Sequence, residues 1–276
     1  MSCQPRASSA SVYRSIALTT LGSADLIATI IAAVRSLTAY VSVSLYVLLV
    51  APPGIVLALL FTWPEVLYWL ARGGVRLGLW TTGITYRVAG REHIQTERAA
   101  VYCINHASNI EPPLLYMVLS VLHPRLRVLY KAELRKAIPV LKNAFDVVGF
   151  VPIERGNREQ SMAVIDAAGL ALREGNSFMI FPEGTRSRTG RLLPFKKGGF
   201  IMAIKGEAMI VPVAIQGTAD AMRKGSPFIH PVTVSVRLGA PIDTARCTLA
   251  DRDRLIKETR GAVQGLLDEG PVQPAD

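Results

Sequence analysis

Between Arg35 and Glu65 the chain carries no charged residue. The middle of that run reads LTAYVSVSLYVLLVAPPGIVLALLF. Its length exceeds the ~20 apolar residues that span a bilayer. Pro52, Pro53 and Gly54 interrupt it. Two prolines remove two backbone donors and crowd the preceding turn, so a kink or break is expected there. Two placements follow: one kinked spanning helix, or a helical hairpin that enters one leaflet and returns. Arg6, Arg14 and Arg35 precede the run, and Arg72 and Arg76 follow it. Positive charge on both flanks favours two ends on the cytoplasmic face, hence the hairpin. A buried helical pair in a soluble protein is the competing reading. An uncharged segment of this length is uncommon in soluble cores. Trp63, Tyr68, Trp69 and Trp80 lie just beyond it, as interfacial anchors or core residues.

The rest of the composition agrees. Half of the 276 residues are hydrophobic and 19% are charged, against about 25% in ordinary soluble domains. The net charge of +10 is spread over scattered, mostly Arg positions. No Lys/Arg block or aromatic stacking pattern marks a nucleic-acid surface, so an anionic membrane or a phosphorylated substrate is the better partner. Cys3, Cys103 and Cys247 lie far apart, which excludes a disulfide framework or a zinc site. The chain divides into a loose tail (1–23) without a secretory signal, a membrane-associated helical region (24–80), one α/β domain (81–270) and a frayed end (271–276).

From residue 84 short apolar runs alternate with helical patterns. Strands are expected at Thr85–Val88, Ala99–Ile104, Leu126–Tyr130, Val147–Ile153, Ser177–Phe181, Met209–Ile215 and Val232–Leu238. Helices are expected at Glu111–Leu122, from Lys131 to about Phe145, Arg158–Arg173, Gly198–Lys205 and Asp251–Leu267. This alternation implies an α/β fold, a largely parallel central sheet flanked by helices, preceded by the membrane-associated helical pair.

Chemistry collects where strands end. NHASNIE (Asn105–Glu111) follows the second strand, at the carboxyl edge where open α/β sheets place their sites. His106 can take a proton from a hydroxyl near neutral pH, and Glu111 can orient its ring. The H-x4-E spacing is weak by itself. With 4 histidines and 21 acidic residues, chance supplies about 0.3 such pairs per chain. The plain alternative is a loop histidine with Glu111 as an acid at a helix N-terminus, favoured by the dipole. FPEGTRS (Phe181–Ser187) follows another strand; Gly184 permits a tight turn, and Thr185, Arg186 and Arg188 crowd donors together. A turn with solvated arginines is the plain alternative. Lys131 and Arg155 sit at two more strand ends. One base among several cations suits an acceptor with both a hydroxyl and a phosphate.

The order NHASNIEP, GFVPIER, FPEGTRSR and VPVAI (Val211–Ile215) resembles the four blocks of the glycerolipid acyltransferases, and within them the 1-acylglycerol-3-phosphate acyltransferases. The resemblance covers about residues 84–220. It implies His106 as catalytic base and Glu111 as its partner. It implies Lys131, Arg155, Glu183, Gly184, Thr185 and Arg186 as binding residues for the glycerol phosphate, with Pro212 on the acyl-donor side. It implies no metal and no cofactor beyond acyl-CoA or an acyl carrier protein as donor. Membrane lipids would be the partners, and the cytoplasmic face of a membrane, such as a bacterial inner membrane, the location. The expected reaction acylates the sn-2 hydroxyl of lysophosphatidic acid. The family's first block ordinarily ends in Asp; Glu111 keeps the charge and adds a methylene, which leaves other acceptors open (glycerol-3-phosphate, another lysophospholipid, a lipid A precursor). A non-catalytic lipid-binding protein is the reading from another class. Ser108 and Cys103 have no evident base of their own and are not expected to be nucleophiles.

Overall fold

The computed structural model describes residues 23–63, 65–131, 151–153 and 158–274. The expected helix up to Phe145, the first half of the Val147–Ile153 strand, the tail before residue 23 and Arg155 lie outside these residues.

Two antiparallel helices come first: α1 (Ser23–Leu60) and α2 (Glu65–Thr82). The expected break at Pro52–Pro53 does not occur; α1 runs through both prolines. Close packing along α2 holds it there. Gly54 leaves the space that Leu70 occupies, and Tyr46 lies over Gly73 and Gly74, donating its hydroxyl to the Leu70 carbonyl (2.9 Å). Small residues at such crossings let two backbones approach. The chain leaves the helix at Phe61–Trp63 instead, where Thr62 takes a positive φ of 49°. By length and composition α1 is fit to cross a membrane, and only 11% of its most apolar window is buried. Leu48, Leu49, Leu59, Leu60 and Phe61 are all exposed.

The first half of α1 lies on the domain that follows. Ser36 Oγ accepts from the Ile229 amide (2.7 Å), and Tyr40 donates to the Pro227 carbonyl. That domain carries a seven-stranded sheet: β1 (Thr85–Ala89), β2 (Ala100–Ile104), β3 (Leu126–Lys131), β4 (Val151–Ile153), β5 (Ser177–Ile180), β6 (Met209–Gln216) and β7 (Thr233–Leu238). Between them stand α3 (Glu111–Val118), α4 (Arg158–Arg173), α5 (Gly198–Gly206) and the short α6 (Thr218–Ala221), with α7 (Arg252–Asp268) after β7. The strand order is β1-β7-β6-β2-β5-β3-β4. All pairs are parallel except β6–β7. The largely parallel sheet read from the alternation is therefore present, with β1 and β7 reversed at one side.

β2 shows how the core is divided. Ala100, Tyr102 and Ile104 face one apolar layer, with Leu114, Leu115 and Val118 of α3. Val101 and Cys103 face the other, with residues of α4, α5 and α7. A strand buried on both faces reads as a continuous apolar run. Burial also pushes the Cys103 thiol far up from its ordinary pKa, so it stays protonated and inert.

Gly90, after β1, holds φ 74°, and a Cβ there would collide with the Leu238 carbonyl at the end of β7. Gly190 has the same φ with open space around it. Gly90→Ala is expected to lose about 2 kcal/mol or more of stability, and Gly190→Ala only about 1. Thermal unfolding of both variants in detergent checks this; equal losses would refute the crowding argument.

Candidate active site

Three adjacent parallel strands, β6, β2 and β5, deliver their carboxyl ends to one edge. Asn105 fastens the first two together. Its side chain donates to the Ile215 carbonyl (2.9 Å) and accepts from the Ile215 amide (2.7 Å), the pairing of a peptide group made by an amide side chain.

The next residue is His106. Its Nδ1 lies 2.6 Å from Glu111 Oε2. Glu111 is fully buried. Besides the histidine, its carboxylate accepts from the Ala107 amide (2.9 Å), the Ser108 amide (2.9 Å) and the Thr218 hydroxyl (2.6 Å). These donors fill the lone pairs of the carboxylate. An ionised Glu111 requires the proton at Nδ1, which leaves Nε2 as the acceptor nitrogen. Nε2 has no hydrogen-bond partner among the described residues, and the His106 side chain is 17% exposed. The ring stacks on Phe181, centroids 4.1 Å apart. The pair can thus accept a proton from a hydroxyl at Nε2 and hold the resulting charge against Glu111.

A second carboxylate supports the same loop. Glu183 is buried; one oxygen accepts from the His106 amide (2.7 Å) and the other from the Leu193 amide (3.0 Å). Burial raises its pKa, opposed by these two backbone donors. Glu183, expected among the binding residues for the glycerol phosphate, lies beneath the histidine loop with both oxygens accepting backbone amides. Gly184 has φ 66°, and a Cβ would come 2.7 Å from Lys196 Nζ. The exposed Thr185 receives a hydrogen bond from Lys224 (3.3 Å), which also donates to the Arg186 carbonyl (2.8 Å). Ser187 donates its amide to the His106 carbonyl (2.7 Å), so the FPEGTRS loop and the histidine loop are adjacent. Lys131 ends β3, two strands from β2.

Sequence reasoning missed Thr218, Asn105 as a fastener, and Ser108, whose hydroxyl donates to the Met222 carbonyl (2.8 Å). Each bond spans more than 100 residues of chain. The only local signal was the position of Gly217-Thr218 directly after the fourth apolar block.

A histidine–carboxylate pair at the carboxyl edge of a parallel sheet, next to a cationic loop, defines a general-base transferase site. The acyltransferase family model matches residues 85–216. The 1-acyl-sn-glycerol-3-phosphate acyltransferase of Limnanthes douglasii is 34% identical over 211 residues, 74% of this chain and 72% of that protein. The enzyme of the same name from Borreliella burgdorferi is 28% identical over 199 residues, 72% and 78% of the two chains. The crystal structure of the acyltransferase PlsC from Thermotoga maritima shares the fold, with a TM-score of 0.71 at 24% identity, covering 88% of this chain and 99% of that one. The chain belongs to the 1-acyl-sn-glycerol-3-phosphate acyltransferase family, and it is an acyltransferase.

Thr218→Val removes a donor to a buried carboxylate and is expected to lower kcat/KM about tenfold or more, while Thr218→Ser restores it. Glu183→Gln places an NH2 against a backbone N–H and is expected to cost at least as much. Steady-state kinetics on variants with unchanged circular dichroism provide the check; full activity in both would sever the link between these residues and the histidine.

Proposed function

We propose that the enzyme moves a fatty acyl group from acyl-CoA or an acyl carrier protein to the sn-2 hydroxyl of lysophosphatidic acid, giving phosphatidic acid at a membrane surface. The observation that carries this reading is the His106–Glu111 pair with its free Nε2, set against the FPEGTRS loop. The activity named for the relatives supports the acceptor.

In this mechanism His106 Nε2 takes the proton from the acceptor hydroxyl. The oxygen attacks the thioester carbonyl, and a tetrahedral oxyanion forms. Its collapse breaks the carbon–sulfur bond, and the imidazolium returns the proton to the leaving thiolate. Glu111 stabilises the imidazolium throughout. Arg186, with Lys131 and Arg155, is assigned to the acceptor phosphate, Thr185 to a hydrogen bond with it, and Gly184 to the turn that presents both. No metal or redox cofactor enters the scheme.

The helical pair supports the location. Its outward residues are apolar, and Ser36 and Gly83 both lie against the domain, where the antiparallel packing brings Arg35 beside the end of α2. A hairpin of this kind returns to the side from which it started. It would hold the site at the cytoplasmic surface of the membrane, where both lipids reside.

Thiol release with lysophosphatidic acid and an acyl thioester is expected to fall about 10³-fold or more in His106→Ala and steeply in Glu111→Gln. Equal rates in wild type and His106→Ala would remove this histidine from the chemistry.

A further inference from the structure

Along the first half of α1, Ala32, Ser36 and Ala39 are buried on one face. Ser36 is the polar member of that face. A serine inside an apolar helix ordinarily bonds back to its own helix. Ser36 does so, donating to the Ala32 carbonyl (2.6 Å). Its oxygen also accepts from the Ile229 amide (2.7 Å), 193 residues away. One turn further on, Tyr40 donates to the Pro227 carbonyl (2.8 Å). Both partners belong to one loop, residues 222–229, which joins α6 to β7.

This loop has a closed base and an open tip. The His230 amide donates to the Ala221 carbonyl (2.8 Å), so the two ends lie side by side, the arrangement of an Ω-loop. A Cβ on Gly225, at the tip, would meet nothing within 4 Å. The base reaches the catalytic pair twice. The Met222 carbonyl accepts from the Ser108 hydroxyl (2.8 Å), and Ser108 donates its amide to Glu111 (2.9 Å). The Met222 amide donates to the Thr218 carbonyl (3.0 Å), and the Thr218 hydroxyl bonds Glu111 (2.6 Å). Nearer the tip, Lys224 bonds Thr185 and Arg186 of the FPEGTRS loop. Every step from Ser36 to the carboxylate that holds His106 is therefore a hydrogen bond or a stretch of backbone. Ile229 and Met222 also pack in the first apolar layer, which leaves the base of the loop little slack.

We infer that Ser36 and Tyr40 of α1 are positioning residues for the reaction, acting through the loop 222–229 on the donors that surround Glu111, and so on the ring of His106. This rests on the acyl-transfer reading above. The apolar helix is then part of the active-site scaffold, beyond any role as an anchor. When α1 leaves its seat, the Ile229 amide loses its partner, the base of the loop is freed, and Ser108 and Thr218 hold Glu111 less firmly.

The test uses the full chain in detergent, with Ser36→Ala, the milder Tyr40→Phe and Ser108→Ala, all assayed well below their unfolding temperatures. In Ser36→Ala kcat is expected to fall about fivefold or more, and less in Tyr40→Phe, with KM for both substrates close to wild type. The Ser36→Ala/Ser108→Ala double variant is expected to lose no more than the worse single variant, because both act through Met222. Hydrogen exchange at the Ala107 and Ser108 amides is expected to quicken in Ser36→Ala. Unchanged kcat in both α1 variants reduces these contacts to ordinary docking and overturns the assignment. So do losses that add in full in the double variant, and a rise in KM for the lysophospholipid alone, which sets the loop against the acceptor. Should Ser36→Ala fail to fold, Tyr40→Phe decides alone, and a wild-type kcat there overturns the proposal. If wild type leaves lysophosphatidic acid unacylated, the acceptor reading fails and the exchange rates decide: quickened exchange in Ser36→Ala upholds the coupling, unchanged exchange overturns it.

Discussion

The buried carboxylate of Glu111 organises the site. An ionised group out of contact with water is tolerated only where donors fill its lone pairs. Here the donors are a histidine ring, two backbone amides and a threonine hydroxyl. They come from the loop after β2 and from the segment after β6. Satisfying one charge therefore fixes the ring, the loop and a second strand end relative to one another. Glu183 applies the same constraint from the β5 side, to the amide of the very residue whose ring Glu111 holds. The position of His106 is set by two buried carboxyl groups, one bonded to its ring and the other to its amide.

Most of the domain was legible in the sequence because its strands are two-faced. Runs such as Ala100–Ile104 and Met209–Gln216 are almost wholly buried, so they read as short apolar blocks bounded by polar loops. The motif residues stood out for the same reason, as the polar groups at the ends of those blocks. The prolines of α1 misled. Local propensity predicts a break at Pro52, but the contact of Gly54 with Leu70 holds the helix together across it, and tertiary packing overrides propensity. Thr218 and Asn105 were illegible for a different reason: their bonds join residues far apart in the chain, which no local pattern records. The reversal of β7 was hidden too, since a strand's period does not state its direction.

The sheet separates two environments. Along β2 successive side chains alternate between the layer shared with α3 and the layer shared with α4, α5 and α7. The helical pair adjoins the first layer, through Leu79 and through Tyr68 against Tyr116.

The pairing of β1 with β7 has a consequence for biosynthesis. Thr85 and Thr233 bond across 148 residues of chain, so β1, which directly follows the helical pair, cannot find its neighbour until β7 has been made. Contacts of such long range form late and slowly. During that interval α1 and α2 are complete and unshielded by the domain, and under the proposed membrane location lipid can receive them before the domain closes. The last strand then seals the edge beside a helical pair already formed. Order of synthesis would thereby protect the hydrophobic helices from aggregation, a safeguard written into strand topology.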